Sequence, residues 1–144
     1  MAGPQSFTPR SVRPSTPKKR YLLDQANKTL PLVKRIVGDI VRVHEEALHL
    51  QERAESLREG VEHQKAQSEL DLAMDHLKAY VAELHEMGVE VKDYQAGLVD
   101  FIGRHQGRDV NLCWKLGEDK IDFWHEVSTG FAGRKPVSTL EEQE

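Results

Sequence analysis

The stretch PLVKRIVGDIVRVHEEALHLQERAESL, residues 31–57, decides the fold. Its apolar residues fall at Val33, Ile36, Ile40, Val43, Ala47, Leu50, Ala54 and Leu57, in alternating steps of three and four. That spacing lays a stripe along a helix and keeps it facing a partner helix, with Leu32, Val37, Val41 and Leu48 widening it in places. Gly60 breaks the run. Beyond it Ala66, Leu70, Ala73, Leu77, Tyr80, Leu84 and Met87 resume the alternation until Gly88, a residue suited to a left-handed C-terminal cap. Two matched stripes joined by a short connector predict an antiparallel, coiled-coil-like helical hairpin over residues 24–87. Helices of roughly 25–30 residues would each span about 40 Å at ~1.5 Å per residue. Ala47, Ala54, Ala66 and Ala73 let them approach closely near the turn. On the N-terminal side, Asp24 is placed to cap a short turn through Asn27, and Pro31 suits the first turn of a following helix, so a kink or break is expected between them.

After Gly88 the pattern changes from helical to alternating. Val89-Glu90-Val91 alternates, and residues 98–102, 108–116 and 120–125 read as short β segments punctuated by Gly97, Gly103, Gly107 and Gly117. In the middle segment Val110, Leu112, Trp114 and Leu116 share one face, which is expected to pack on the helices, while Asn111, Cys113 and Lys115 share the other. Gly117-Glu118-Asp119 supplies turn residues between the last two segments. The fold class expected is therefore α+β: the long helical hairpin followed by a small antiparallel β-meander, its head spanning residues 89–127. Residues 128–136 read as a glycine-hinged loop without a strand, and 137–144 as a polar tail.

A chain of 144 residues suits one core, here placed over residues 21–136. With 38% hydrophobic and 31% charged residues, it has enough apolar side chains to fold and a largely solvated helix surface. No apolar run approaches the ~20 residues of a membrane span and no secretory signal is evident, so the expected compartment is the cytoplasm. One cysteine, Cys113, excludes an internal disulfide and a cysteine-rich zinc site. Residues 1–20 hold four prolines and the basic residues Arg10, Arg13, Lys18, Lys19 and Arg20 with no acid, which leaves −9 on the rest of a chain whose net charge is −4. This arm is expected to be disordered; a competing use is contact with nucleic acid through released counterions.

Leu112-Cys113-Trp114-Lys115-Leu116-Gly117-Glu118, then Phe123-Trp124-His125, then Gly130-Phe131-Ala132-Gly133-Arg134, resemble the bacterial domain of unknown function twenty-two-oh-three. Upstream, Ala26-Asn27, Leu30-Pro31, the helical pair and the stretch from Gly88-Val89-Glu90 to Val99-Asp100-Phe101 are similar to that family as well, so the resemblance covers about residues 21–136. It implies no established activity, substrate or cofactor.

The residues able to do chemistry gather in the β half: Asp100, Glu118, His125 and Arg134, with Asp93 and Cys113 near in sequence. Carboxylates with an imidazole can move protons or hold a metal, and an arginine among glycines can hold an anion. No two of Asp100, Glu118 and His125 stand at a diagnostic metal-ligand interval, and the bland alternative has His125 bonded to backbone, Asp100 capping a turn and Arg134 paired with an acid. Cys113, between Leu112 and Trp114, reads as a small buried packing residue rather than a nucleophile. Residues 130–134 lack the Lys-Ser/Thr ending of a nucleotide loop. Trp114, Phe123, Trp124 and Phe131 suit the core better than a base-stacking platform. In the first helix, Glu46-x-x-His49 and the group His44, Glu45 and His49 miss metal-binding geometry and are assigned to hydrated surface.

Two functions from different classes follow. The first is a non-enzymatic interaction or assembly module, a homodimer or a protein partner engaging the hairpin. The second is a small enzyme or a metal- or anion-binding protein with a pocket at the β head formed by Asp100, Glu118, His125 and Arg134. The first predicts those four residues apart or in simple pairs; the second predicts at least three of them within a few ångströms. The cofactor is left unknown, and neither reading strongly implies one.

Overall fold

The apolar stripes pair as their spacing demands. In the computed structural model, which describes residues 19–142, helix α1 runs Leu23–Leu57 and helix α2 Val61–Glu86. Val33, Ile36, Ile40, Val43, Ala47 and Ala54 of α1 are buried, as are Ala66, Leu70, Ala73, Leu77 and Leu84 of α2. Arg58 and Gly60 turn the chain with positive φ, and the His63 ring nitrogen Nδ1 meets the Ala54 carbonyl at 2.8 Å to close the tip. Leu57, the last residue of α1, stays 38% exposed, while Ala54 and Ala66 near the tip are buried.

The break expected near Pro31 does not occur. Proline removes the helical partner of the Asn27 carbonyl, yet α1 continues through it because Ala26, Leu30 and Val33 are buried on both sides. The start of α1 is tied down by side chains: Gln25 Oε1 accepts from the Leu22 amide at 2.9 Å, and Glu142 accepts from the Leu23 amide. A carboxylate is thereby held at the positive end of a helix. The segment read as a polar tail also packs Val137 and Leu140 against the core.

The β half is a meander with strand order β1-β2-β3-β4-β5, all neighbours antiparallel. The strands are Val89–Asp93, Leu98–His105, Arg108–Lys115, Phe123–Glu126 and Lys135–Pro136. The last was not expected: a two-residue strand within the glycine-rich loop pairs Pro136 with Phe123 and Lys135 with Trp124. Val89, Val99, Phe101, Leu112, Trp114 and Trp124 form the face that joins the helices in one core. Trp114 Nε1 donates to the Glu118 carbonyl and Trp124 Nε1 to Thr139 Oγ1, so neither indole buries an unpaired donor. At Gly97, with φ +76, a Cβ would stand 3.0 Å from Val37 and Val41, which lets the β1–β2 turn lie directly on α1.

Two connections dock the sheet onto α1. Asn27 Oδ1 accepts from the Ile121 amide at 2.8 Å, and Lys34 Nζ donates to the Asp119 carbonyl at 2.9 Å. No helix among the described residues is long and apolar enough to cross a membrane.

Candidate functional site

Strand register decides what meets on the face turned away from the core. Asp100 of β2 lies opposite Cys113 of β3, Cys113 opposite Phe123 of β4, and Asn111 opposite His125. Side chains alternate along a strand, so Asp100, Cys113, Phe123 and His125 share that face although 25 residues separate Asp100 from His125. One donor atom from each of Asp100, Cys113 and His125 lies within 4.8 Å of the others, and all three residues are buried.

Hydrogen bonding defines the protonation of this cluster. His125 Nδ1 lies 2.8 Å from the Glu126 carbonyl oxygen; a carbonyl only accepts, so Nδ1 carries its proton and donates. Nε2 stands 3.2 Å from Asp100 Oδ1. Either a protonated Nε2 faces a carboxylate or a bare Nε2 faces a carboxylic acid, and in both cases one proton lies between the two residues. Burial pushes the Asp100 carboxyl above its ordinary value, with the charge and hydrogen bond of His125 pulling the other way. Burial likewise pushes the Cys113 thiol up to about 11, against the hydrogen bond from Arg134. The thiol is therefore neutral near pH 7, which denies it the thiolate that a nucleophile needs.

Arg134 links this cluster to Glu118. Its Nη1 and Nη2 donate to Glu118 Oε2 and Oε1 at 2.8 and 2.9 Å, and its Nε donates to Cys113 Sγ at 3.4 Å. The guanidinium lies 4.4 Å from the Phe123 ring centre and 4.6 Å from that of Phe131, between two aromatic faces. Glu118 also accepts from the Lys115 amide at 2.9 Å. Burial works against the Glu118 charge, but the hydrogen bonds from Arg134 and Lys115 outweigh it and hold the carboxyl below its ordinary value. The four residues named from sequence thus form two simple pairs, Asp100–His125 and Glu118–Arg134, the arrangement expected of an interaction module. His125 is also bonded to backbone and Arg134 is paired with an acid, as the bland alternative has them. What joins the pairs is Cys113, which sits between them and was not among the four.

Several expectations change in detail. Asp100 caps no turn; it is a mid-strand residue. Cys113 is buried as expected, but it lies in a polar cluster rather than packing among apolar side chains alone. His44, assigned to hydrated surface, is buried with its ring 5.6 Å from that of Tyr94, because the β1–β2 turn folds over that side of α1. Glu46 and His49 are exposed, and His49 lies 3.9 Å from Glu45. A groove of about 280 Å³ lined by Val41, His44, Glu45, Leu48, His49, Glu52 and Gln95 lies there, away from the Asp100 cluster. The amides of Gly133 and Arg134 donate to the carbonyls of Gly130 and Phe131, so they form no phosphate cradle. Trp114 and Trp124 are core residues, whereas Phe131 is 44% exposed.

Of the basic arm, Arg10, Arg13 and Lys18 lie outside the described residues. Arg20 pairs with Asp109 at 2.8 Å, and Lys19 lies 5.1 Å from the centre of the Tyr21 ring.

The family model described as "Uncharacterized conserved protein (DUF2203)" matches residues 19–137, in agreement with the resemblance carried by the Trp- and His-bearing strands. No curated protein and no solved structure gives a significant match.

Proposed function

The chain belongs to the DUF2203 family of uncharacterized conserved proteins, and we propose that it is a small-ligand-binding protein whose site is the polar cluster of the β head. One observation carries this: Asp100, Cys113 and His125, from three adjacent strands, bring a carboxylate, a thiol and an imidazole within 4.8 Å inside the protein. Burying such groups has a cost that packing alone does not repay, and apolar residues of similar volume in place of a buried ion pair are often neutral or stabilising. Perturbed titratable groups gathered in this way favour a binding role. Arg134 and Glu118 extend the site toward solvent, with side chains 14% and 23% exposed.

Native mass spectrometry of the full-length, untagged protein tests the proposal. A bound mass is expected on the wild type and its loss from the Asp100→Asn/His125→Gln double variant. A bare polypeptide mass, combined with no thermal stabilisation by divalent cations or small anions, would end this reading.

An assembly role for the hairpin is the second reading. It is favoured by Leu57, Val61 and Leu72, which remain exposed on the helices, and opposed by the burial of both apolar stripes against each other. Sedimentation of the protein across a hundredfold concentration range separates the two: a concentration-dependent dimer abolished by Leu72→Glu supports assembly, and a monomer throughout rejects it.

A further inference from the structure

We propose that Asp100, Cys113 and His125 form a binding site for a zinc-class divalent cation, with an Asp100 carboxylate oxygen, Cys113 Sγ and His125 Nε2 as its protein ligands. This rests on the ligand-binding role of the head and names the class of ligand. Tetrahedral zinc, with bonds of about 2.0–2.3 Å, sets its ligand atoms roughly 3.3–3.8 Å apart. Asp100 Oδ1 and His125 Nε2 are 3.2 Å apart, and every separation among the three donor atoms is within 4.8 Å. One pair is already at the required spacing, and the others need to close by about 1 Å at most.

The donor types select the metal. A thiolate and an imidazole suit zinc and its neighbours, whereas magnesium and calcium take oxygen ligands. His125 is oriented as a ligand: the bond from its Nδ1–H to the Glu126 carbonyl leaves Nε2 facing the cluster, where it offers a lone pair to a metal once the proton shared with Asp100 is released. Two anionic ligands cancel the 2+ charge, so the occupied site is neutral in a low-dielectric interior. The adjacent Arg134–Glu118 pair is also neutral in sum, and Arg134 Nε is already directed at the sulfur that the metal would hold as a thiolate.

Binding replaces two protons with one cation, the thiol proton of Cys113 and the proton shared by Asp100 and His125. Three protein ligands leave a fourth coordination position for water or a small anion, the pattern of zinc sites that engage a ligand rather than of closed structural sites.

Cobalt(II) is the probe, titrated into the full-length, untagged protein near pH 7. A saturable thiolate-to-cobalt absorption in the near ultraviolet is expected at one ion per chain, displaced by zinc and accompanied by release of two protons. Because Cys113 is the chain's one cysteine, no other residue can produce that band, and the wild-type spectrum decides the matter without relying on a variant's stability. Cys113→Ser is expected to abolish the band. His125→Gln should weaken binding by about 100-fold or more, and Arg134→Gln by roughly tenfold, as a change beyond the ligands themselves does. Absence of the band at saturating cobalt overturns the inference, as does undiminished cobalt binding by Cys113→Ser, which would place the ion on surface histidines. If the band is absent while mass spectrometry still detects a non-metal ligand lost from the Asp100→Asn/His125→Gln variant, the metal falls and the binding role stands. If both fail, both fall.

Discussion

Along the hairpin, Val33, Ile40, Ala47, Leu77 and Leu84 are completely shielded from water, and none of their side chains carries a hydrogen-bonding group. On the far face of the sheet Asp100, Cys113 and His125 are almost as deeply buried, and every one of them does. The first surface depends on volume and tolerates residues of similar shape. The second depends on complete partnering, because each buried polar atom that loses its neighbour retains the cost of leaving water. One small protein thus contains one region that depends on filled volume and another that depends on polar partnering.

That contrast can be broken most forcefully in the hairpin. Leu77→Ala removes a fully buried side chain from the contact between α1 and α2, and is expected to cost about 2–5 kcal/mol. The denaturant midpoint should fall with the sheet and helices unfolding together, as followed by tryptophan fluorescence and circular dichroism; two separate transitions would show that head and hairpin do not share a core.

In the head a smaller loss is expected. His125→Ala leaves Asp100 buried without its partner, at about 1–3 kcal/mol. The double variant Asp100→Val/His125→Leu should recover most of that loss, since replacing both members with apolar groups removes the unsatisfied atom. A double variant as unstable as His125→Ala would mean that the pair is there for stability, and the contrast between the two regions would disappear.

A pH effect sharpens the comparison at the seam between the regions, where His44 of α1 meets Tyr94 of the β1–β2 turn. Burial lowers the His44 pKa from the ordinary 6.5, partly opposed by Asp93. The unfolded chain then takes up a proton more readily than the folded one, so stability is retained above about pH 6.5 and declines as the pH falls through that value toward the lower folded pKa. Thermal midpoints measured from pH 7.5 to 5 should show this slope, and His44→Gln should reduce it; an identical slope in the variant would assign the effect to other groups.

The smallest effect is expected at the rim of the sheet. Arg20 and Asp109 form an exposed pair at 2.8 Å, screened by salt and worth little to folding. Arg20→Ala should leave the unfolding midpoint within experimental error at 150 mM salt, and a clear shift would show that the Arg20–Ile102 bridge depends on that side chain.

How much could be read in advance differs between the same two regions. The steps of three and four in Val33 to Leu57 and Ala66 to Met87 are local facts that already imply a hairpin, and Gly60 marks its turn. Pro31 misled because its local preference for a helix start was overridden by burial on both sides of it. The strand at Lys135–Pro136 was hidden for the opposite reason: two residues carry no periodicity, and only their pairing with Phe123 and Trp124 defines them. For the site, Asp100, Glu118, His125 and Arg134 were recognisable by type, and alternation put Cys113 on the face away from the helices. Their convergence was not recognisable, since residue spacing in this sequence matches no metal-binding interval.

By itself, the sequence determined the hairpin, the meander and the division of β3 into an apolar face and a polar one, because periodicities of 3.6 and 2 are properties of the chain's own geometry. Only the tertiary structure decided that Asp100 stands beside His125, that Arg134 returns to Cys113 and Glu118, and that His44 is covered. Those contacts depend on strand register and loop path, which are set by how the whole sheet seats on α1, and a shift of one residue in register would turn the cluster toward the opposite face.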